Sequence, residues 1–180
     1  MGTVGYGNPM HAGWFKTTPS HNTLTIGGKN MANITGKLEG FEANERYTAA
    51  TASAHTAYKD WQLTRRVLLM DRFLVDDFVV RGPQAEILDW FTRAPGDLSL
   101  SVAVTPAEEK PLSRAYGFLK EIQTGRASED WTAIWRQGDG ASAPRLVLTM
   151  RGDADTIISR AKAPAPQGQR WDNLRVRRRV

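Results

Sequence analysis

The sequence predicts an all-β fold, an antiparallel β-sandwich. Three observations carry this prediction. Short runs rich in Val, Ile, Leu, Thr and aromatic residues recur about once per dozen residues. Sixteen glycines and nine prolines punctuate the chain. Several runs alternate as half-buried strands do, and no stretch holds a sustained helical period.

In chain order, the first strands are expected at Thr23–Ile26, Lys37–Glu42 and Tyr47–Ala54, with Gly27-Gly28 turning the chain after the first. Gln62–Met70 and Phe73–Arg81 read as a hairpin closed at Asp71-Arg72 and ended by Gly82-Pro83. In its second arm Leu74, Phe78 and Val80 share a face with Asp76, while Phe73, Val75 and Val79 share the other with Asp77. Both faces are largely apolar, which places the hairpin near the middle of a packed sheet.

Further strands follow at Ala85–Arg93, Leu98–Val104, Tyr116–Gln123, Trp131–Gln137, Arg145–Arg151 and Thr156–Arg160. Pro106–Ser113 holds helix formers, but Pro111 interrupts it. Ala161–Gly168 reads as a loop. The domain is expected over residues 1–163. A basic segment, 164–180, follows, and its alternating end, Leu174 to Val180, reads as a solvated tail or a strand lacking its partner.

At 180 residues the chain suits one domain, and 41% hydrophobic with 24% charged residues excludes wholesale disorder. The absence of cysteine excludes disulfides, thiolate metal sites and a cysteine nucleophile. No run approaches the 18 or so apolar residues of a membrane-spanning helix. The first seven residues lack the charged head and apolar stretch of a secretory signal. Net charge is +5, yet five arginines crowd the last eleven residues against Asp172 alone. The rest is nearly neutral and gives little hint of a nucleic-acid partner. No phosphate-cradling glycine motif, nucleophile elbow or His-Glu-x-x-His motif is present.

The most specific segment is Gly5-Tyr6-Gly7-Asn8-Pro9-Met10-His11-Ala12-Gly13-Trp14-Phe15, then Thr18-Pro19-Ser20-His21-Asn22-Thr23-Leu24. Ala57-Tyr58, the run Leu63-Thr64-Arg65-Arg66-Val67-Leu68-Leu69 and the run Phe73-Leu74-Val75-Asp76-Asp77-Phe78-Val79 follow in order. Together they resemble the C-terminal β-sandwich region of heparinase II/III-like polysaccharide lyases, well over residues 2–100 and more loosely beyond.

The resemblance implies β-elimination at a uronic acid, with loss of the C5 proton and departure of the C4 oxygen. It implies an acidic polysaccharide substrate and a location in the periplasm or cell envelope. It also implies an N-terminal α/α toroid that carries the central Tyr and His of catalysis and is missing here. The chain alone is then expected to be inactive. The expected partners are the polysaccharide, the toroid and another copy of the chain, with no nucleic acid and no membrane.

The resemblance implies roles for four residues. Tyr6, flanked by two glycines, matches a tyrosine that reaches the cleft and is the catalytic candidate. Its other reading is a turn residue packed on the sheet. His11 and Trp14 are substrate-binding candidates, although Trp14 could equally cover the sheet. His21 would join an upstream His and Asp on one zinc in the complete enzyme, leaving this chain without a cofactor of its own. Its other reading is a hydrogen-bonded histidine at a strand start.

Further groups are read from residue type and spacing. Arg65 or Arg66 could hold a carboxylate, or pair with Asp76 or Asp77. His55 reads as surface. Trp131 and Trp135 fall on one side of a strand, as a sugar-stacking platform or as core. The terminal arginines could grip a polyanion. These features support two further functional readings, a non-catalytic carbohydrate-binding module and an interaction domain with a basic arm.

Overall fold

A computed structural model describes residues 3–83 and 86–179. Their strands are β1 (Leu24–Ile26), β2 (Lys37–Ala43), β3 (Tyr47–Ser53), β4 (Gln62–Met70), β5 (Phe73–Arg81) and β6 (Ile87–Arg93). After them come β7 (Asp97–Leu100), β8 (Thr105–Pro106), β9 (Lys120–Arg126), β10 (Trp131–Arg136), β11 (Arg145–Met150), β12 (Ile157–Pro164) and β13 (Arg170–Arg179). Every pairing is antiparallel. The predicted all-β class holds, as an antiparallel β-sandwich.

The chain divides into two compact units, Met1–Asn30 with Glu86–Val180, and Met31–Ala85. The larger unit holds a six-stranded sheet in the order β1-β6-β13-β12-β9-β8 and a three-stranded sheet in the order β11-β10-β7. The two sheets pack face to face. Leu98, Trp131, Ala133 and Trp135 of the smaller sheet meet Ile158, Leu174 and Val176 of the larger. Side chains alternate across a strand, so the same rows send their neighbours to the opposite face. That back face is covered by Trp14, Phe15, Tyr116 and Leu119, packed over Phe91, Ala161 and Ala163.

β13 lies between β6 and β12, paired along its length with both. The basic end is therefore neither tail nor partnerless strand; Val180 lies outside the described residues. Arg175 and Arg177 alternate with Leu174 and Val176, and the arginines find acids on the back face: Arg175 pairs with Glu109, and Arg177 makes a two-point pair with Asp89. Those acids are 66 and 88 residues away along the chain, beyond the reach of local pattern.

Residues 161–164 extend β12 rather than forming a loop. Ala161 and Ala163 are poor strand formers by propensity. They are favoured here because small side chains leave room for the aromatic rings of the N-terminal segment. The run expected over Tyr116–Gln123 begins as a tight 3-10 turn, Ala115–Phe118, before β9. No helix forms in Pro106–Ser113, and Ala85, the expected start of β6, lies outside the described residues.

The smaller unit is a four-stranded meander, β2-β3-β4-β5. The predicted hairpin forms, with Met70 opposite Phe73 at the turn. It is not central, because β5 pairs only with β4 among the described residues. Phe41, Leu69, Phe73, Leu74 and Val75 are all exposed. Gly82 is required where it stands: a Cβ there would meet the Trp61 ring at 2.3 Å. No helix is long and apolar enough to cross a membrane among the described residues.

Candidate functional site

The N-terminal segment is built from short-range backbone bonds. Asn8 accepts the His11 amide at its carbonyl at 2.8 Å and the Met10 amide at its side chain at 2.9 Å. A wide helical turn, His11–Phe15, follows, closed by Lys16 N–H on the His11 carbonyl at 3.0 Å. Pro19 then starts a 3-10 turn, Thr18–Ser20, where its missing N–H costs nothing.

Two tethers fix this segment on the six-stranded sheet. Trp14 is fully buried, and its indole N–H donates to the Pro164 carbonyl at 3.0 Å. Asn22 uses both ends of its amide on the backbone of Arg93, at 3.0 and 3.3 Å. The Arg93 guanidinium is buried, donates to the same Pro164 carbonyl at 3.1 Å, and lies 5.9 Å from the Trp14 ring centre. Burial pulls its pKa below the ordinary value.

The four candidates thereby fall in three places, with Tyr6 and His11 together. Tyr6 is 91% exposed, and its ring lies 4.7 Å from that of His11, tilted by 54°. His11 is half-buried, with Nδ1 3.2 Å from the Val4 carbonyl. A neutral His11 that donates there from Nδ1 turns the lone pair of Nε2 away from the bond. Tyr6 and His11 form a pair on the outside of the segment. Trp14 is corrected: it covers the sheet and presents no ring face to a sugar.

His21 stands apart from that pair. Its Nε2 is 3.0 Å from the Phe15 carbonyl and so carries the proton it donates. Nδ1 makes no hydrogen bond among the described residues. Burial lowers the pKa of His21, the Phe15 bond acts against that, and the charge of Arg93 adds to it. A neutral imidazole with one nitrogen fixed by a carbonyl has the form of a metal-ligating histidine. Among the described residues, however, no three His, Cys, Asp or Glu side chains group as a metal site would. His21 can supply one ligand.

The two arginines of β4 find their acids on β5, the strand beside them. Arg65 grips Asp76 at two points, each 2.7 Å, and lies over the Phe78 ring. Arg66 faces Asp77 at 3.7 Å on the other side of the sheet. The pairing reading therefore describes both. Trp131 and Trp135 are core residues, so no stacking platform stands there.

Sequence reasoning weighed His21 and overlooked its neighbour Asn22, the residue that tethers the motif. It also missed Arg93, which ends an apolar strand and carries no local signal. On the back face of the sheet, Tyr116 donates to Asp89 at 2.6 Å, and its hydroxyl is 2.7 Å from Thr25 Oγ1. Burial, then the charge of Asp89, drives the Tyr116 pKa upward, so its phenol stays protonated.

The heparinase II/III-like, C-terminal family model matches residues 1–175. The chain belongs to the heparinase II/III-like family. Part of a heparan sulfate lyase of Pedobacter heparinus, HepC, is similar in fold. A mutant form superposes with a TM-score of 0.55 at 13% identity, over 99% of this chain and 24% of that one. The unmutated HepC also gives 0.55 at 13% identity, over 98% and 24%. The comparison with curated proteins gives no match. This heparinase II/III-like chain thus spans about a quarter of the length of the lyases it resembles. At that identity the likeness concerns fold, and the paired Tyr6 and His11 rest on this structure.

Proposed function

We propose that the chain is the β-sandwich part of a polysaccharide lyase that cleaves uronate-containing chains by β-elimination. In that reaction a base takes the C5 proton, the C4–O bond breaks, and a C4=C5 double bond forms. The departing oxygen receives a proton, so no water is consumed. The carboxylate on C5 must be neutralised for the proton to leave.

The observation that carries the reading is the exposed Tyr6–His11 pair in a chain of this family. Tyr6 projects a phenol outward, and His11 beside it offers an imidazole. In the proposal both touch the sugar at the uronate, while the helical toroid supplies the remaining acid–base groups. His21 serves the intact enzyme differently. Its Nδ1 would join ligands from elsewhere on a zinc ion, which when bound would tie the segment down as a structural brace. The intact enzyme works in the periplasm or cell envelope, where such polysaccharides are met.

The chain alone holds only part of this machinery and is inactive in the proposal. The purified chain, incubated with heparan sulfate and with alginate, should give no rise in the ultraviolet absorbance of unsaturated uronate. A rise that Tyr6→Phe abolishes would overturn the inactivity while keeping Tyr6. The carbohydrate-module reading loses its support with the burial of Trp14, Trp131 and Trp135.

A further inference from the structure

The back face of the six-stranded sheet holds a second polar feature that the lyase reading does not use. A cavity of about 180 Å³ opens between the 109–111 loop, the Ala115–Phe118 turn and the start of β9. Its lining includes Arg175, Glu109, Lys110, Lys120 and Tyr116, with Leu119 beside them. It is smaller than a drug-sized pocket and suits a single small group.

The charges there do not balance. The Arg175 side chain is only 4% exposed, although it lines the cavity. Its Nη2 carries both of its hydrogen bonds, to Glu109 and to Ser159, each 2.6 Å. Nη1 bonds nothing among the described residues, and the buried Nε has no partner there either. Glu109 is shared, since Arg177 approaches its other oxygen at 3.8 Å. Asp89 is committed to Arg177 and to the Tyr116 hydroxyl. Lys110 and Lys120 stand exposed at the rim, and neither pairs with an acid among the described residues. One half-shared carboxylate thus faces three cations.

A buried guanidinium with unused donors is costly unless an acceptor reaches it. We propose that this cavity binds one oxyanion group, a sulfate or a carboxylate. Arg175 Nη1 donates to it from the floor, and Lys110 and Lys120 close over it from the rim. The site is separate from Tyr6 and His11 and does not depend on the lyase reading.

The test is a titration of the purified chain with sodium sulfate at constant ionic strength, following Lys side-chain and backbone amide signals by NMR. The expected result is a saturable shift at Lys110, Lys120 and Arg175, weakened at least fivefold in the Lys110→Gln/Lys120→Gln double variant. Both lysines are exposed, so that variant should fold. No saturable shift, or an equal shift in the double variant, overturns the proposal. Repeating the titration with a sulfated uronate disaccharide identifies the source of the group. Competition with sulfate points to a saccharide, and its absence points to the free anion. A negative result here leaves the Tyr6–His11 contact with sugar untouched.

Discussion

The Asn22 amide meets the Arg93 backbone twice: Nδ2 donates to the carbonyl at 3.3 Å, and Oδ1 accepts the N–H at 3.0 Å. The pair extends the β1–β6 ladder, in which Thr23 accepts the Phe91 amide and Leu24 lies opposite Trp90. The sequence motif around His21 is therefore anchored through its neighbour. Asn22→Ala should lower stability by about 1–2 kcal/mol, the usual worth of two partly buried hydrogen bonds. Urea unfolding measures it, and an unchanged midpoint would contradict the anchoring role.

A second prediction concerns the junction between the sheets. Asp172 is buried on β13, where Arg160 holds it at 2.9 and 3.1 Å, Lys162 at 3.0 Å and the Leu98 amide of the facing sheet at 3.0 Å. Burial raises its pKa, but the Arg160, Leu98 and Lys162 bonds outweigh it and leave the carboxyl below its ordinary value. A depressed carboxylate contributes stability that is present above the unfolded pKa, near 4, and is lost as pH falls through the folded value. Unfolding followed from pH 5 downward should show that loss. Asp172→Asn should flatten it and cost roughly 2–3 kcal/mol at neutral pH, because two cations lose their acid.

A third prediction follows from His21. Its pKa is lowered, so the ring should titrate below the ordinary value of about 6.5. The sign is that of a group favoured in its neutral form when folded. Stability is present above the unfolded pKa and falls as pH drops through the folded one. A proton NMR titration of the imidazole signals reads this directly. A His21 value at or above the ordinary 6.5 would contradict the burial that outweighs the Phe15 bond.

A fourth prediction separates core from sugar platform. Trp135 is 1% exposed and packs against the core that joins the two sheets. Trp135→Ala should cost about 3–5 kcal/mol, as large-to-small changes in a packed core do. A variant with wild-type stability and weakened saccharide binding would restore the platform reading.

Much of the strand order was legible, because hairpins and alternation are local. β4 and β5 fall where the pattern placed them, and Gly27 and Gly28 both adopt the left-handed turn the pair suggested. The failures share a cause. Arg175 and Arg177 looked like a solvated run because Glu109 and Asp89 are brought beside them only by the fold. Ala161 and Ala163 looked like a loop because Trp14 and Phe15 fill the space above them from the far end of the chain. At the candidate site, Tyr6 stands exposed between its two glycines, whereas the burial of Trp14 depended on Pro164 and Arg93.

The account turns on whether the Tyr6–His11 face meets a uronate. The most direct measurement is an NMR titration of the purified chain with an unsaturated uronate disaccharide. The account predicts shifts of the Tyr6 and His11 ring signals, weak in affinity, with Trp131 and Trp135 unmoved. Disaccharide that leaves both rings unshifted at millimolar concentration, or that shifts the tryptophans instead, would contradict it.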